Sequence, residues 1–346
     1  MHLVNINIET GNSLLIIGGS VRDIGSYLSG LKLFIVTDTN VRNLYGNTFP
    51  EGKVLEIQPG EQSKSLEVIG ELCRILLESG ADRSSFILGF GGGVVCDVAG
   101  MLSSVYMRGL RHGFVSTTLL SQVDASIGGK TGVNLGLYKN IIGTFKQPEF
   151  VLCDQTMLAT LPDEEYLSGI GELIKHAVIR DRELFFDISD NLARLLDRDQ
   201  VYLGNIINRS VKVKAAIVRR DPLEKGLRRL LNFGHTFGHP IEMYEKIPHG
   251  IAVMKGMIIA AGLSRWRGEM LPAELQLLEK MMSRLGIGAA SKMPTDIVSA
   301  IAKDKKSEAG HLNVVLLRSI GRAVVRKIPL GEISTFLEGK GYINKI

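Results

Sequence analysis

The sequence predicts an α/β N-terminal domain with a mostly parallel sheet, followed by an all-helical C-terminal domain. In the first half, short apolar runs rich in β-branched residues alternate with helical stretches, which is typical of a parallel sheet covered on both faces. Beyond Pro162, long amphipathic stretches dominate. A length of 346 residues is enough for two hydrophobic cores. We therefore predict domains 1–161 and 162–346.

The first domain is expected to contain six short strands joined by helices. The predicted strands are 14–17, 33–37, 54–57, 86–88, 113–116 and 150–153, and the predicted helices are 21–29, 65–79 and 97–107. In the second domain, apolar residues recur at helical spacing in five stretches: 164–180, 182–196, 201–219, 250–267 and 273–285.

The composition excludes several classes of protein. No uninterrupted apolar run is long enough to span a membrane, and the N-terminus lacks the pattern of a secretory signal. Three widely spaced cysteines argue against a disulfide framework and favour a reducing, cytoplasmic location. The net charge of +5 is spread along the chain without a dense basic tract, and a substrate bearing phosphate and carboxylate would explain local positive charge as well as nucleic acid would. The net charge therefore does not decide between them. We expect a small-molecule substrate and no nucleic-acid or membrane partner.

A glycine-rich turn follows one of the predicted strands. Residues 85–88 lead into Gly89-Phe90-Gly91-Gly92-Gly93, and a helix is predicted to begin near residues 95–97. Glycines between a strand and a helix allow a pyrophosphate to approach the backbone at the helix N-terminus. The acidic residue that usually binds the ribose, about twenty positions later, is absent. Asp38 ends an earlier predicted strand, where its carboxylate could accept hydrogen bonds from the ribose hydroxyls. A tight strand–helix turn with no ligand explains these glycines about as well.

Two further segments are typical of anion binding. The turn Pro59-Gly60-Glu61-Gln62-Ser63-Lys64 carries a carboxylate and an ammonium three residues apart. Thr117-Thr118 follows a predicted strand, and residues 122–134 then combine Asp124, Lys130 and three glycines. A glycine-rich segment bearing a lysine close to a cofactor loop usually binds an anion.

Histidines cluster in the second half. The chain has seven histidines, and His235, His239 and His249 fall within fifteen residues. His235 and His239 lie on one helix face, and Glu172 supplies a carboxylate from another predicted helix. Two imidazoles and one carboxylate with an open position are the ligands of a catalytic Zn²⁺. A zinc-peptidase helix would carry glutamate directly after its first histidine, where this chain has Thr236, so peptidase chemistry is not expected.

The motifs together resemble the 3-dehydroquinate synthase family from about Asp38 to Gly321. The matching stretches are 59–65, 91–100 (GGGVVCDVAG), 106–109 (YMRG), 117–134, 139–143 (KNIIG), 171–175 (GELIK), 228–239, 249–250 and 304–306 (DKK). Many specific segments occur in the family's order, over nearly the whole chain.

The resemblance implies a homodimeric, cytoplasmic enzyme that uses NAD⁺ and Zn²⁺ or Co²⁺. Such enzymes convert 3-deoxy-D-arabino-heptulosonate 7-phosphate to 3-dehydroquinate and phosphate, the second step of the shikimate pathway to chorismate and the aromatic amino acids. NAD⁺ accepts a hydride, phosphate leaves, and NADH returns the hydride before the product is released. Residues 1–161 would be the Rossmann-like NAD-binding domain, and 162–346 the metal- and substrate-binding domain.

The resemblance also implies residue roles. Glu172, His235 and His249 would bind the metal, which makes His239 an acid/base residue, and Glu224 would be a second proton acceptor. Lys130 and Asn140 would join His239 and Glu224 in catalysis. NAD would be bound by Asp38, Glu61, Lys64, Gly92, Gly93, Asp97, Thr117, Thr118, Asp124, Lys130, Lys139 and Thr160. Substrate would be bound by Arg108, Asp124, Lys130, Asn140, Lys175, Lys214, Arg228, Asn232, His239 and one of Lys305 or Lys306.

Three positions depart from the family pattern. Cys96 replaces a common glycine in the nucleotide cradle, Ile251 replaces a glutamate after His249-Gly250, and Pro240 replaces the alanine after His239. Pro240 is expected to kink its helix unless it falls in the first turn.

Other functions remain as alternatives. The first is a related sugar-phosphate cyclase that acts on an amino analogue or on sedoheptulose 7-phosphate. The second is a metal-dependent polyol dehydrogenase related to glycerol dehydrogenase, and the third is an inactive nucleotide-binding regulator. The joint presence of Lys214, Arg228, Asn232 and His239 favours the dehydroquinate branch, and a regulator would be expected to lack a metal ligand or Lys130.

Overall fold

The computed structural model of the chain describes residues 1–136, 138–288, 307–308 and 310–343. It contains two compact units, Met1–Pro162 with Arg198–Leu223, and Asp163–Asp197 with Glu224–Ile346. The first unit includes a helix, Gln200–Arg220, that the sequence analysis assigned to the second domain. This helix packs against strand His2–Ile8 and the turn Ser121–Ala125 of the first unit. Its amphipathic pattern predicted the helix but not the partner of its apolar face.

The first unit is built on a seven-stranded sheet with the order β1-β2-β9-β6-β5-β3-β4. Only the β1–β2 pair is antiparallel; the other five pairs are parallel. Strands of the unit are β1 (His2–Ile8), β2 (Gly11–Ile17), β3 (Leu33–Asp38), β4 (Lys53–Ile57), β5 (Phe86–Gly91), β6 (Arg111–Ser116), β7 (Lys130–Leu135), β8 (Tyr138–Phe145) and β9 (Phe150–Cys153). Its helices are α1 (Ile24–Leu28), α2 (Thr39–Tyr45), α3 (Leu66–Glu78), α4 (Gly93–Val105) and α8 (Gln200–Arg220).

The parallel sheet that the sequence predicts is confirmed. All six predicted strands are present, and β5 and β9 are buried along their whole length, as expected for strands covered on both faces. Ile35, Leu88, Val115 and Leu152 are fully buried in the central core of this unit. Strand β1 was not predicted, although its side chains alternate between exposed and buried over much of its length.

Two features near the predicted cofactor segments also differ from expectation. Helix α4 begins at Gly93, directly after β5, and so starts two to four residues earlier than predicted. Lys130–Leu135 and Tyr138–Phe145 pair as the antiparallel hairpin β7–β8, which was not predicted as strands. Strand β8 is largely exposed and lacks the apolar alternation that would identify it.

The second unit is mainly helical, as predicted. Its helices are α5 (Asp163–Arg180), α6 (Arg182–Asp190), α7 (Leu192–Leu196), α9 (His235–Glu245), α10 (His249–Trp266), α11 (Pro272–Arg284) and α12 (Leu330–Gly339). The expectation of an all-helical half is wrong in one respect, because β10 (Ser307–Glu308), β11 (His311–Ser319) and β12 (Arg322–Pro329) form an antiparallel sheet. The four consecutive apolar residues Val314–Leu317 are all buried, so the sequence shows no alternation of apolar and polar residues that would identify a strand.

Close helix packing organises the second unit around α10. A Cβ placed on Gly250 would lie 1.9 Å from the Ser168 carbonyl oxygen of α5, and one on Gly256 would lie 2.1 Å from the Gly234 carbonyl oxygen at the start of α9. Only glycine allows backbones to approach this closely. The three helices that carry Glu172, His235 and His249 are therefore held against one another. No helix among the described residues is both long and apolar enough to cross a membrane.

Candidate functional site

A buried lysine joins three of the predicted nucleotide-binding segments in the first unit. Lys64, only 5% exposed, donates from Nζ to Asp97 Oδ2 and to Asn140 Oδ1, both at 2.6 Å. Its Nζ also lies 3.6 Å from Glu61 Oε1. Burial alone would lower the pKa of the Lys64 ammonium, but the charges of Asp97 and Glu61 outweigh it and raise the pKa above its ordinary value. Lys64 is therefore charged at neutral pH.

The hairpin β7–β8 is attached to this cluster through Asn134. Asn134 Nδ2 donates to Glu61 Oε1 at 2.9 Å, and Asn134 Oδ1 accepts from the Asn140 amide at 2.9 Å. Asn140 has φ of 51°, a left-handed conformation that asparagine adopts more readily than most residues. The turn 59–64 and the hairpin thus form one hydrogen-bonded unit.

The glycine-rich turn lies at the N-terminus of α4, where the sequence places the pyrophosphate. A Cβ on Gly92 would come within 2.9 Å of Thr118 Cγ2, and one on Gly93 within 3.3 Å of the Ala125 side chain. The Thr117 amide donates to the Gly91 carbonyl at 3.0 Å, which fixes residues 117–118 beside the turn. Cys96 is buried, and burial raises the pKa of its thiol, so it fills the space beneath the turn as a neutral side chain.

Asp124 and Lys214 form a second polar pair within the first unit. Lys214 Nζ donates to the Asp124 carboxylate and, at 2.6 Å, to the Asp124 carbonyl oxygen. Lys214 is 5% exposed and lies on α8, the helix that groups with the first unit. Two residues 90 positions apart that were both predicted to bind substrate are therefore in contact.

In the second unit, three imidazoles and one carboxylate converge. Nitrogen atoms of His235, His239 and His249 lie within 4.8 Å of one another. Glu172 Oε1 lies 3.8 Å from His235 Nε2 and 3.9 Å from His249 Nε2. Glu172 is 1% exposed, and its carboxylate contacts Lys175 and lies close to two imidazoles. Since buried carboxylates usually pair with a cation or coordinate a metal, this carboxylate can serve as a metal ligand beside the imidazoles.

Three polar contacts flank these donors. Lys175, one helical turn after Glu172 on α5, forms an ion pair with the Glu172 carboxylate. His249 Nδ1 lies 2.9 Å from Glu242 Oε2, and His235 Nδ1 lies 3.3 Å from the Phe233 carbonyl oxygen. A partner at Nδ1 leaves the Nε2 lone pair of each imidazole available to a metal. The donor set therefore fits a Zn²⁺ or Co²⁺ ion.

A buried polar segment precedes α9. Arg228 is 2% exposed in the turn Leu227–Asn232, and Asn232 Nδ2 donates to Glu224 Oε1. The helix α9 continues through Pro240 to Glu245, although Pro240 lies beyond the first turn. Proline has no amide hydrogen to donate to the Thr236 carbonyl.

The remaining predicted residues of the first unit lie on several elements. Asp38 Oδ1 caps α2 by accepting from the Val41 amide at 2.9 Å, and Thr160 Oγ1 lies 2.5 Å from the Tyr45 hydroxyl. Arg108 is exposed, with φ of 66°. Lys130 and Lys139 are exposed on β7 and β8. Lys305 and Lys306 lie outside the described residues.

Comparison with known proteins accounts for both halves of the chain. The family model described as 3-dehydroquinate synthase N-terminal matches residues 54–168, and the one described as 3-dehydroquinate synthase C-terminal matches residues 169–307. A 3-dehydroquinate synthase of Alkaliphilus metalliredigens is 40% identical over 350 residues, covering 97% of this chain and 98% of the relative. The chain belongs to the 3-dehydroquinate synthase family.

Other members and solved structures are consistent with this family. A 3-dehydroquinate synthase of Acidithiobacillus ferrooxidans is 41% identical, covering 90% of this chain and 89% of the relative. A 2-epi-5-epi-valiolone synthase from Streptomyces hygroscopicus subsp. jinggangensis, solved with NAD⁺ and Zn²⁺ bound, has a TM-score of 0.87 and 28% identity and covers 98% of each chain. A probable glycerol dehydrogenase from Sinorhizobium meliloti shares the fold, with a TM-score of 0.68 and 14% identity, over 94% of this chain and 95% of that one.

Two residues that contact the predicted site were missed in the sequence analysis. Glu242 contacts the imidazole of His249, and Asn134 connects Glu61 with Asn140. Glu242 follows His239 by three positions on α9, and this spacing places both side chains on one face of the helix. Asn134 ends a glycine-rich segment, and nothing in its spacing indicates its partners.

Proposed function

We propose that this protein is a 3-dehydroquinate synthase, which converts 3-deoxy-D-arabino-heptulosonate 7-phosphate to 3-dehydroquinate and phosphate with NAD⁺ and a divalent metal ion. The observation that carries the proposal is the 40% identity to a 3-dehydroquinate synthase along 97% of the chain. The proposal includes a homodimer in the cytoplasm, as the sequence analysis expected. The first unit would bind NAD⁺, and the second would bind the metal.

The residues of the first unit fit a dinucleotide. The turn Gly91-Gly92-Gly93 brings backbone to the N-terminus of α4, where an anion is favoured, and Lys64 adds a buried positive charge nearby in the same cluster as Asp97. When bound, NAD⁺ would supply a reversible hydride acceptor. Glu61, Lys64, Asp97, Thr117 and Thr118 would hold it in one orientation.

In the second unit, Glu172, His235 and His249 would bind the metal ion. Their donor atoms converge, and the Nδ1 contacts of both imidazoles favour binding through Nε2. When bound, the metal would supply Lewis acidity toward a substrate hydroxyl. His239 would then be the fourth member of the cluster, left to move a proton at its imidazole nitrogen.

The remaining polar residues would bind and orient the substrate. The cationic side chains among them match its carboxylate and phosphate, and a fixed geometry lowers the entropic cost of elimination. The Asp124 contact holds the Lys214 ammonium in place before substrate arrives. Glu224, bonded to Asn232, would accept a proton. The proposed substrate-binding residues are Arg108, Asp124, Lys130, Asn140, Lys175, Lys214, Arg228, Asn232, His239 and one of Lys305 or Lys306.

The experiment that tests this function uses catalytic NAD⁺ and excess heptulosonate phosphate. Phosphate should be released in amounts far above the NAD⁺ supplied, because the hydride returns to the intermediate in each turnover. The absorbance of NADH should show no more than a transient limited by the enzyme concentration. Omission of NAD⁺ from enzyme stripped of cofactor is the control.

Each alternative function gives a different result in this assay. NADH that accumulates in step with substrate loss would identify a polyol dehydrogenase. Phosphate release from sedoheptulose 7-phosphate or the amino analogue, and none from the heptulosonate, would identify a related cyclase. A protein that binds NAD⁺ and converts none of these substrates would be a regulator.

A further inference from the structure

We propose that Asn134 is a positioning residue, which holds the turn 59–64 and Asn140 in one fixed arrangement. This inference rests on the proposed function, in which Glu61 and Lys64 contact NAD⁺ and Asn140 contacts the substrate. Asn134 itself has no assigned role in that function. It would act only through the residues that it orients.

Asn134 joins the turn 59–64 to Asn140 through three hydrogen bonds. Its backbone amide donates to the Lys64 carbonyl at 2.8 Å, its Nδ2 donates to Glu61 Oε1 at 2.9 Å, and its Oδ1 accepts from the Asn140 amide at 2.9 Å. Both ends of one side-chain amide are therefore used, toward partners 73 and 6 positions away in the sequence. Few other side chains carry a donor and an acceptor in this geometry.

The backbone around Asn134 departs from a regular strand. The register of the β7–β8 hairpin shifts between Val133 and Leu135, so Asn134 sits at an irregularity in the ladder. Bulges commonly redirect a side chain next to an active site. Here the irregularity frees Asn134 to contact the turn 59–64.

Asn140, which Asn134 contacts, has a left-handed backbone conformation. Asn140 has φ of 51°, and Lys64 Nζ donates to its Oδ1 at 2.6 Å. Asn134 holds its backbone and Lys64 holds its side chain, so the unusual conformation is fixed from two directions. Such conformations persist where the surroundings over-determine them, and they concentrate at functional sites.

Loss of the Asn134 side chain should therefore affect the two ligands together. Without it, Glu61 loses a neutral hydrogen-bond donor and the Asn140 amide loses its acceptor. A shift of about 1 Å in a positioning group can reduce the rate by roughly 10²-fold. The backbone bond to Lys64 remains, so the hairpin should stay attached.

The experiment compares Asn134→Ala and Asn134→Asp with the wild-type holoenzyme. In Asn134→Ala, the Kd for NAD⁺ should rise roughly tenfold, the loss of about one hydrogen bond, and kcat/KM for the heptulosonate phosphate should fall by up to about 10²-fold. Asn134→Asp keeps the acceptor for the Asn140 amide but faces Glu61 with a second negative charge. It should impair NAD⁺ binding at least as much as the alanine variant while retaining more of kcat.

Asn12→Ala, an exposed asparagine on β2 of the same unit, is the matched control and should change neither constant. If Asn134→Ala lowers the melting temperature and leaves both the NAD⁺ Kd and kcat/KM unchanged, Asn134 is only structural. If the alanine variant does not fold, equal losses in NAD⁺ binding and kcat in Asn134→Asp would overturn the proposal. Wild-type protein that binds no NAD⁺ would instead contradict the proposed function itself.

Discussion

In the second unit, two of the clustered histidines have identified partners at Nδ1. The Nδ1 atoms of His235 and His249 lie near the Phe233 carbonyl and the Glu242 carboxylate, respectively. Both rings therefore direct Nε2 toward Glu172 Oε1. This pattern supports His235 and His249 as the imidazole ligands. All three side chains lie close together, and the assignment of His239 as the proton carrier stays a prediction.

The first prediction separates ligands from catalyst. Alanine at Glu172, His235 or His249 should abolish stoichiometric metal, because three protein ligands are the minimum for such a site. Alanine at His239 should keep the metal and reduce kcat by ~10²–10⁴-fold, as for loss of a general acid or base. Elemental analysis of each purified variant measures the metal. Stoichiometric zinc in the His249→Ala protein would refute the ligand assignment.

A second prediction concerns Glu242, which contacts His249 at Nδ1. Glu242→Gln should weaken metal affinity by roughly 10–100-fold, because the carboxylate fixes the orientation and raises the basicity of the imidazole. A competition titration with a chromophoric chelator measures this affinity without turnover. Glu245→Gln is the matched control, since Glu245 is on the same helix and pairs with Lys255. Equal affinities in the two variants would remove Glu242 from the metal site.

At the scale of elements, backbone contacts decide whether these donors can meet. Helix α10 packs against α9 and α5 at Gly256 and Gly250, where a Cβ would clash with a backbone oxygen. These glycines set the separations between the helices that carry Glu172, His235 and His249. Their spacing in the sequence does not indicate which helix each one faces.

A third prediction tests this packing. Gly256→Ala should destabilise the protein by at least about 1–3 kcal/mol, because the new methyl would lie 2.1 Å from a backbone oxygen and the helices must separate. It should also lower metal content. Gly262→Ala, on the same helix, places its methyl 3.5 Å from Phe336 and should be neutral or stabilising by up to about 1 kcal/mol. Thermal unfolding of the two variants, with metal analysis, decides between them.

The elements themselves were largely predictable. Strands such as β5 and β9 are continuous apolar runs between glycines and polar turns, and α10 was predicted to within one residue at each end. The hairpin β7–β8 and the sheet β10–β12 were not, because the exposed β8 and the buried run Val314–Leu317 carry no alternation. Tertiary contacts, which no local pattern encodes, determine both.

At the scale of the whole molecule, the fold alone does not identify the reaction. The same architecture serves a probable glycerol dehydrogenase at 14% identity, and one fold often hosts several chemistries. The sequence motifs predicted the polar residues that converge, such as Lys64 with Asp97 and Asp124 with Lys214. The motifs did not predict the contacts of Asn134 or Glu242, since a residue that acts on another side chain carries no motif of its own.

The stability of the molecule should depend on a buried histidine that belongs to none of these motifs. His112 on β6 is 1% exposed, and neither ring nitrogen has a hydrogen-bond partner. Burial, together with the positive charge of Lys146, lowers the pKa of His112 from 6.5 to about 3. The folded state thus binds fewer protons than the unfolded state between these values. The stabilisation from neutral His112 is complete above pH 6.5 and is lost as the pH falls toward 3.

The fourth prediction follows from this sign. Between pH 7.5 and 4.5, His112 should cost the wild-type protein roughly 2–3 kcal/mol of unfolding free energy, and His112→Leu should remove that part of the pH dependence. Urea unfolding at each pH measures the difference. The exposed His2 provides the control, because His2→Leu should keep the wild-type slope. Burial also lowers the pKa of His176, so His176 adds to the pH dependence of stability with the same sign in both variants. Equal slopes for the wild type and His112→Leu would mean that His112 becomes protonated without unfolding the protein.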